Sequence, residues 1–408
     1  MTETHLLEQL RATLLALDPA DREYAPQAVS ILLAAACRAG ASDLHLQPTA
    51  AGLVCHWRRD GVLQPIVTLP KGLAHHVIGR LKVLGELLTY RTDIPQEGRI
   101  RADDTPVEMR LSTFPTLHGE KGVVRLFAQR GRLERFAELG FPAEIEARLR
   151  ALLQATSGSI LITGPAGSGK TTTAYAALRE LVEATQGQRN LTTLEDPIEV
   201  ELAGVSQSQV NPAAGFDLAT GLKFLLRQDP EVLLIGEVRD RQVAETLFQA
   251  ALTGHLVLTT FHAGSAVTAV SRLLDMGIEP YLLRSGVLGI VSQRLVRRLC
   301  SCKQPTAAPQ HLLGLPLGQA WIAGGCESCL QTGYRGRLLL AELLTTDTVE
   351  VGRAILARDE SPVLERLAIE AGMVPCWQRA LDAVAAGETS PAEVLRVLGF
   401  QKFPDHRP

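Results

Sequence analysis

Hydrophobic and polar positions follow two different patterns along this 408-residue chain. Up to about residue 128, short segments of alternating apolar and polar residues predict strands, and a helical pattern at about 71–88 interrupts them. From Leu139 onward, short apolar runs alternate with longer stretches of helical periodicity. Strands separated by helices are typical of a parallel, doubly wound sheet. The pattern therefore predicts an α/β protein whose first part is a smaller α+β domain.

The same patterns set the limits of the predicted elements. Residues 1–28 have a polar helical pattern that ends in a loop around Pro26, and a second helical pattern starts at Ala28. Later strands are predicted at 159–163, 190–194, 232–235 and 256–260, and later helices at 142–156, 172–185, 217–227 and 240–252. The expected domains are a short N-terminal extension (1–28), an α+β domain (29–128), a hinge linker (129–138), an α/β core (139–299), a cysteine-rich segment (300–337) and a helical C-terminal region (338–408).

Composition excludes some classes of function. The residues are 46% hydrophobic and 21% charged, as in ordinary globular proteins. A net charge of −3 and an aromatic content of 4% provide neither a general basic field nor many stacking side chains, so direct nucleic-acid binding is not expected. The N-terminal MTETHLLEQL is not a secretory signal, and no apolar stretch reaches spanning length. We therefore expect a cytosolic protein with reduced cysteines.

A glycine-rich loop provides the strongest functional signal. Residues 164–171 read GPAGSGKT, a complete Walker A loop, between an apolar run and a helix-compatible run. Its glycines let backbone N–H groups face phosphate oxygens, Lys170 would neutralise the β- and γ-phosphates, and the Thr171 hydroxyl would bind Mg²⁺. This strand–loop–helix context disfavours an ordinary glycine turn. The predicted nucleotide-binding residues are Gly164, Pro165, Ala166, Gly167, Ser168, Gly169, Lys170, Thr171 and Thr172.

Two acidic segments follow this loop at the ends of predicted strands, and the second strand is apolar. Glu195 lies in TLEDPIE, and Glu237 lies in LIGEVRD, where glycine holds the place at which many NTPases have aspartate. Glu237 is expected either to polarise the attacking water or to support Mg²⁺ without binding it directly. Glu195 is expected to be the other acid, on the Mg²⁺ side of the site. Either segment alone is typical of a solvated turn, but both after a Walker A loop favour a hydrolase.

Two histidines flank a third strand, in TGHLVLTTFHAGSA. A histidine at a strand end can sense a γ-phosphate and relay its presence to the core. His262 is the better candidate for this role and His255 the weaker one, since a single strand-end histidine is more often an ordinary hydrogen-bonded residue.

These three segments, in this order after the P-loop, resemble the Asp box, Walker B and His box of the secretion ATPase superfamily. Within it, the chain resembles the type II secretion and type IV pilus-assembly ATPases. The resemblance extends from about residue 30 to 400 and includes ASDLHLQP (41–48), RLSTFPTLHGEKGVVRLF (110–127) and GCESCLQTGYRGR (325–337).

The resemblance implies a RecA-like core, a PAS-like N-terminal domain and a homo-hexamer on the cytoplasmic side of the inner membrane. ATP hydrolysis with Mg²⁺ would move one domain against the other and power pilin or pseudopilin assembly beside an inner-membrane platform protein. It also implies phosphate-directed arginines at Arg110 and Arg125, with Arg227 as a further candidate. Lys223 stands where the family usually has another arginine. The extra N-terminal docking domain of longer members is expected to be absent, which leaves the docking route open.

Four cysteines are clustered within the cysteine-rich segment. Two pairs, separated by a loop, match a tetrahedral Zn²⁺ knuckle formed by Cys300, Cys302, Cys326 and Cys329. The first pair is C-x-C, one residue shorter than the family's usual spacing, and His311 is a conceivable substitute ligand. The remaining cysteines, Cys37, Cys55 and Cys376, are expected to be ordinary core residues.

Three alternatives to an assembly or secretion motor remain at this stage. A pilus retraction ATPase is weakened by the cysteine knuckle, which retraction motors generally lack. A nucleotide-dependent scaffold with little turnover is disfavoured by the intact set of Lys170, Thr171, Glu195 and Glu237. A nucleic-acid-translocating relative is disfavoured by the charge and the scarcity of aromatic residues.

Overall fold

The computed structural model describes residues 3–100, 108–127 and 135–400, except the side chains of residues 3–6. The centre of the predicted hinge, near residue 131, lies outside these described residues. The chain forms two compact units. The first comprises Met1–Arg132, Arg297–Pro305 and Ile322–Arg337, and the second comprises Leu133–Val296, Thr306–Trp321 and Leu338–Pro408. Both halves of the cysteine cluster therefore belong to the first unit.

The first unit is built on a six-stranded antiparallel sheet in the order β3-β2-β1-β6-β5-β4. Its core combines the apolar faces of the strands and of the helices, with Trp57 and Leu44 almost completely buried. The elements are α1 (Glu3–Leu15), α2 (Tyr24–Arg38), β1 (Asp43–Thr49), β2 (Gly52–Arg59), β3 (Val62–Leu69), α3 (Ala74–Leu84), β4 (Gln96–Ile100), β5 (Met109–Thr116) and β6 (Gly119–Leu126).

The loop predicted around Pro26 is wrong, because helix α2 begins at Tyr24 and runs through this position. Pro26 lies in the first turn, where a backbone N–H has no intrahelical partner, so a proline is tolerated there. Tyr24 and Ala28 on the same helix are buried. The apolar face of α2 thus starts before the predicted boundary at residue 28 and crosses it.

The second unit contains a seven-stranded sheet in the order β15-β12-β7-β11-β10-β8-β9. The pairs from β12 to β9 are parallel. Its first elements are α4 (Ala143–Leu153), β7 (Gly158–Thr163), α5 (Lys170–Thr185), β8 (Leu191–Glu195), β9 (Ser206–Gln209), α6 (Leu218–Leu225), β10 (Val232–Glu237), α7 (Arg241–Leu252), β11 (Leu256–Phe261), α8 (Ala266–Asp275) and α9 (Pro280–Gly286).

The remaining elements follow α9 along the chain. They are β12 (Val287–Leu299), β13 (Gln304–Thr306), α10 (Pro309–Leu312), β14 (Ala320–Ile322), β15 (Tyr334–Thr345), α11 (Val349–Ala357), α12 (Ser361–Glu370), α13 (Cys376–Ala385) and α14 (Pro391–Leu398). Strands β13 and β14 pair with each other in a separate small sheet. No helix in the described part of the chain is long and apolar enough to cross a membrane.

Helices cover both faces of the central strands, which explains their continuous apolar sequences. Leu233 and Ile235 of β10 join one buried cluster, whereas Val232 and Leu234 join the other. Strands buried on both faces show apolar runs rather than alternation. The predicted doubly wound α/β core is confirmed, and the predicted strands and helices differ from the observed ones only by a few residues at their ends. In such sheets, phosphate sites lie at the carboxyl ends of the strands.

Candidate nucleotide-binding site

The Walker A loop connects the carboxyl end of β7 to the first residue of α5. Gly164 has φ of +150°, and a Cβ atom there would collide with Ser168 and lie 2.6 Å from the carbonyl oxygen of Gln293. Gly169 has φ of +92° and precedes the helix as its N-cap. Only glycine adopts these conformations without strain, so the sequence GPAGSGKT folds into a tight loop at a helix N-terminus.

Lys170 points back along this loop. Its Nζ atom donates to the carbonyl oxygens of Gly164 at 2.9 Å and Pro165 at 3.1 Å, and it lies 3.5 Å from Nδ1 of His262. Burial lowers the pKa of Lys170, while the negative charge of Glu237 acts in the opposite direction. A phosphate anion in the loop would stabilise the ammonium group that burial disfavours.

Glu237 and His262 meet beside this lysine. Their strands, β10 and β11, are parallel neighbours, so the residues at their carboxyl ends lie close together. Oε1 of Glu237 lies 2.5 Å from Nε2 of His262. The structure therefore brings three predicted site residues, Lys170, His262 and Glu237, into one line at the edge of the sheet.

Glu195 ends the adjacent strand β8, but its carboxylate is engaged inside the unit. Oε1 accepts hydrogen bonds from Thr193 Oγ1 at 2.5 Å and from Gln207 Nε2 at 3.2 Å, and Oε2 accepts one from the Tyr175 hydroxyl. The residue is only 4% exposed. In this arrangement its oxygen atoms bind neutral donors of the chain, and its predicted place on the metal side stays a prediction.

Tyr175 was not among the residues identified from the sequence. It lies on the buried face of α5, and its hydroxyl also accepts a hydrogen bond from the backbone N–H of Glu199 at 3.2 Å. Burial and the bond to Glu195 raise the pKa of Tyr175. A tyrosine on an otherwise apolar helix face was the available signal, because a buried hydroxyl needs a polar partner.

Three further residues support the loop that carries His262. Arg272 donates to the carbonyl oxygen of His262, and the buried Arg294 donates to that of Gly264. The two oxygens of Glu342, which is 3% exposed, accept from the backbone N–H groups of Ala266 at 2.7 Å and Cys376 at 2.8 Å. Glu342 thus joins the first turns of α8 and α13. No local motif in the sequence marks it.

The predicted arginines make local contacts. Arg110 of β5 and Arg125 of β6 are cross-strand partners in the first unit. Nε of Arg125 donates to Asp43 at 3.2 Å, and the Arg110 guanidinium lies 4.9 Å from the centre of the Phe127 ring. Arg227, in the second unit, lies beside the ring of Phe224. Their predicted action on phosphate stays a prediction.

The four clustered cysteines converge in the first unit. Their sulfur atoms all lie within 4.8 Å of one another, despite the short C-x-C spacing of Cys300 and Cys302. The backbone N–H groups of Cys326 and Gly333 donate to Sγ of Cys329 at 3.3 and 3.2 Å. A hydrogen bond from the Cys302 backbone lowers the pKa of the Cys300 thiol to about 7, whereas burial raises that of Cys302 to about 12. This donor set fits a tetrahedral metal ion.

His311, the conceivable substitute ligand, is engaged elsewhere. Its Nδ1 atom lies 2.9 Å from the Thr306 hydroxyl. The candidate metal group found in the described residues consists of the four cysteines alone.

A glycine-rich loop between a parallel strand and a helix, with Lys170, His262 and Glu237 at its side, defines this chain as a P-loop nucleotide-binding protein. The chain belongs to the Type II/IV secretion system protein family, whose model matches residues 19–396. Membership implies the use of nucleotide and Mg²⁺.

Two curated relatives are similar over nearly the whole chain. The type II secretion system protein HxcR of Pseudomonas aeruginosa is 41% identical over 385 residues, which cover 93% of this chain and 79% of that protein. The type IV pilus assembly ATPase PilB of Thermus thermophilus is 38% identical over 386 residues, which cover 92% of this chain and 43% of PilB. The predicted family and the ATPase class are thereby confirmed.

A solved structure supports the fold independently. The X-ray structure of the Legionella pneumophila ATPase DotB superposes with a TM-score of 0.67 over 93% of this chain and 96% of that chain. At 20% identity, this similarity concerns the fold, and it confirms the predicted RecA-like class.

Proposed function

We propose that this chain is a motor that hydrolyses ATP to drive pilin or pseudopilin assembly in type II secretion or type IV pilus biogenesis. The observation that carries this proposal is the line from Lys170 through His262 to Glu237 beside a complete Walker A loop. The names of HxcR and PilB favour secretion and assembly over pilus retraction.

Each group in this line has a chemical task in the proposed reaction. The loop N–H groups and Lys170 hold the β- and γ-phosphates, and the Thr171 hydroxyl would hold Mg²⁺, which supplies positive charge to these phosphates. A water oxygen attacks the γ-phosphorus as the bond to the ADP oxygen breaks, and Oε1 of Glu237 receives the proton of that water. His262 contacts the γ-phosphate and reports its presence to Glu237.

The direct test is phosphate release by the purified full chain. We expect Mg²⁺-dependent release of phosphate from ATP by the wild-type protein, and loss of both ATP binding and release in Lys170→Ala. Binding of ATP without turnover by wild-type protein, under conditions where it assembles, would instead support a scaffold.

For the arginines, the proposal is that Arg110 and Arg125 neutralise phosphate charge during hydrolysis, with Arg227 as a third contributor. Arg125→Ala is expected to lower turnover by about a hundredfold or more and ATP affinity by only a few fold. Equal losses of turnover and of affinity would argue against a transition-state role.

For the cysteine cluster, the proposal is one Zn²⁺ ion bound by Cys300, Cys302, Cys326 and Cys329. A bound metal would hold together a segment that is too short to fold alone. Purified protein should contain about one equivalent of zinc, and less than about half an equivalent would refute the site.

The remaining proposals concern assembly and location. The motor would act as a homo-hexamer on the cytoplasmic face of the inner membrane, in contact with a platform protein of the secretion or pilus machine. Head-to-tail contacts form a ring when the rotation between subunits closes, and such a ring is compatible with arginines of either the same or a neighbouring subunit acting on the phosphates. Mass measurement in the presence of ATP analogues tests the hexamer.

A further inference from the structure

Arg239, an arginine of the LIGEVRD segment to which no role has been assigned, contacts the proposed catalytic carboxylate. Arg239 follows Glu237 by two positions, and its Nε and Nη2 atoms both lie 2.6 Å from Oε2 of Glu237. The other oxygen, Oε1, lies 2.5 Å from His262. Arg239 and His262 thus contact different oxygens of this carboxylate, and His262 in turn lies 3.5 Å from Nζ of Lys170.

The backbone around Arg239 is fixed at both neighbouring positions. Val238 is 5% exposed, and its N–H donates to the carbonyl oxygen of Thr260. Asp240 caps helix α7 by accepting from the N–H of Val243 at 2.9 Å. Val238 faces the core, whereas the side chains of Glu237 and Arg239 meet each other on the other side of the backbone. The pairing therefore follows from the local fold.

We propose that Arg239 is a positioning residue for Glu237 and fixes its carboxylate so that Oε1 faces the attacking water. The inference rests on the proposed role of Glu237 as the proton acceptor. The Arg239 guanidinium contacts Oε2, whereas His262 contacts Oε1, so we expect Arg239 to act through Glu237 rather than on the nucleotide. The two N–H groups that converge on one oxygen restrict its rotation more than a single ammonium could.

This role differs measurably from that of a surface ion pair. The Arg239 side chain is 70% exposed, and exposed pairs contribute little to stability. Loss of Arg239 should therefore leave the melting temperature unchanged while lowering turnover. A small displacement of a catalytic group is sufficient for such a loss.

The experiment compares five variants of the full chain with wild type, measuring kcat, ATP affinity and melting temperature. Arg239→Ala should lower kcat by about tenfold to a hundredfold with ATP affinity within about threefold of wild type. Arg239→Lys should be intermediate because lysine keeps the charge without the fork. Arg241→Ala is the matched control, because Arg241 pairs with Glu245 instead, and it should resemble wild type.

Glu237→Gln alone and combined with Arg239→Ala completes the set. If Arg239 acts only through Glu237, the double variant should be no slower than Glu237→Gln. A kcat of Arg239→Ala equal to or above that of Arg241→Ala, or a parallel loss of ATP affinity, would overturn the inference and leave the proposed function intact. Normal turnover by Glu237→Gln would overturn both.

Discussion

The ends of strands β8 and β10 carry the same residue type in the same sheet but in different surroundings. Glu195 is 4% exposed and bonded to neutral donors of its own unit. The Glu237 side chain is 18% exposed and lies between His262 and Arg239. In the sequence both are acids at the end of a predicted strand, so this local pattern does not distinguish their tasks.

The hydrogen-bonding partners of a carboxylate determine which task it can perform. A buried carboxylate that already accepts three hydrogen bonds from neutral donors, as Glu195 does, stabilises the segments that carry those donors. A partly exposed carboxylate between a histidine and an arginine can change partners when an anion arrives. We therefore expect Glu237 to serve the reaction and Glu195, in this arrangement, to organise the loop after β8.

The largest expected loss of stability comes from replacing Glu195, and the same replacement of Glu237 should cost much less. Glu195→Leu removes the acceptor of the Tyr175 and Thr193 hydroxyls and one of the two acceptors of the Gln207 amide, so the free energy of unfolding should fall by about 2–4 kcal/mol. Glu237→Leu should cost at most about 1 kcal/mol, because water can solvate its exposed partners. Chemical denaturation measures both. Equal losses would show that the burial difference has no energetic consequence.

Glu342 is a third carboxylate in the second unit, and it is buried like Glu195. Both oxygens of Glu342 accept from backbone N–H groups, and glutamine can supply only one acceptor there. Glu342→Gln should lower the free energy of unfolding by about 2–3 kcal/mol. Glu365→Gln is the control, because burial and the charge of Glu342 raise the pKa of Glu365, so a neutral side chain there should not destabilise. A neutral outcome for Glu342→Gln would contradict its bridging role.

Tyr175→Phe tests a single donor to Glu195. It keeps the ring and removes the hydroxyl that bonds Glu195 and accepts from Glu199. Unfolding free energy should fall by about 1 kcal/mol, whereas Tyr90→Phe, at a position 76% exposed, should change nothing measurable. Identical unfolding free energies for the two variants would show that the Tyr175 hydroxyl does not stabilise the protein.

The smallest effect concerns pH. Burial lowers the pKa of Lys170 in the free protein, and a bound phosphate should raise it again. Above the lowered pKa, ATP binding must then take up a proton, so affinity should fall as the pH rises toward the ordinary lysine range.

Between the lowered pKa of Lys170 in the folded protein and its ordinary pKa in the unfolded chain, only the unfolded chain keeps the Lys170 side chain protonated. In this pH interval the contribution of Lys170 to the free energy of unfolding therefore rises with pH. Titrations of ATP affinity in the wild type and in Lys170→Arg, whose charge is permanent, measure the effect on binding. A fall of the same steepness in both proteins would exclude Lys170 as its cause.

Periodicity predicted the central sheet because each strand and helix carries its own apolar pattern. Walker A residues were equally readable, since their spacing reflects local backbone geometry. The prediction of a loop around Pro26 was wrong because a proline disrupts a helix only beyond its first turn.

Hydrogen bonds between residues that are distant in the sequence could not be predicted from it. Tyr175 reaches Glu195 across 20 residues and Glu342 reaches Ala266 across 76, and no local pattern encodes either bond. The same holds for the grouping of 297–305 and 322–337 with the first unit, where the Gly336 N–H donates to Asp60. Arg239 was visible in LIGEVRD, but its contact with Glu237 needed the side-chain geometry.

The most direct test of the different tasks of these acids is single-turnover cleavage of ATP by Glu237→Gln. The assembled variant is saturated with ATP, and bound ATP and ADP are quantified over time. We expect this variant to bind ATP with wild-type affinity and to cleave it about a hundredfold or more slowly than wild type. Cleavage at the wild-type rate would contradict this expectation.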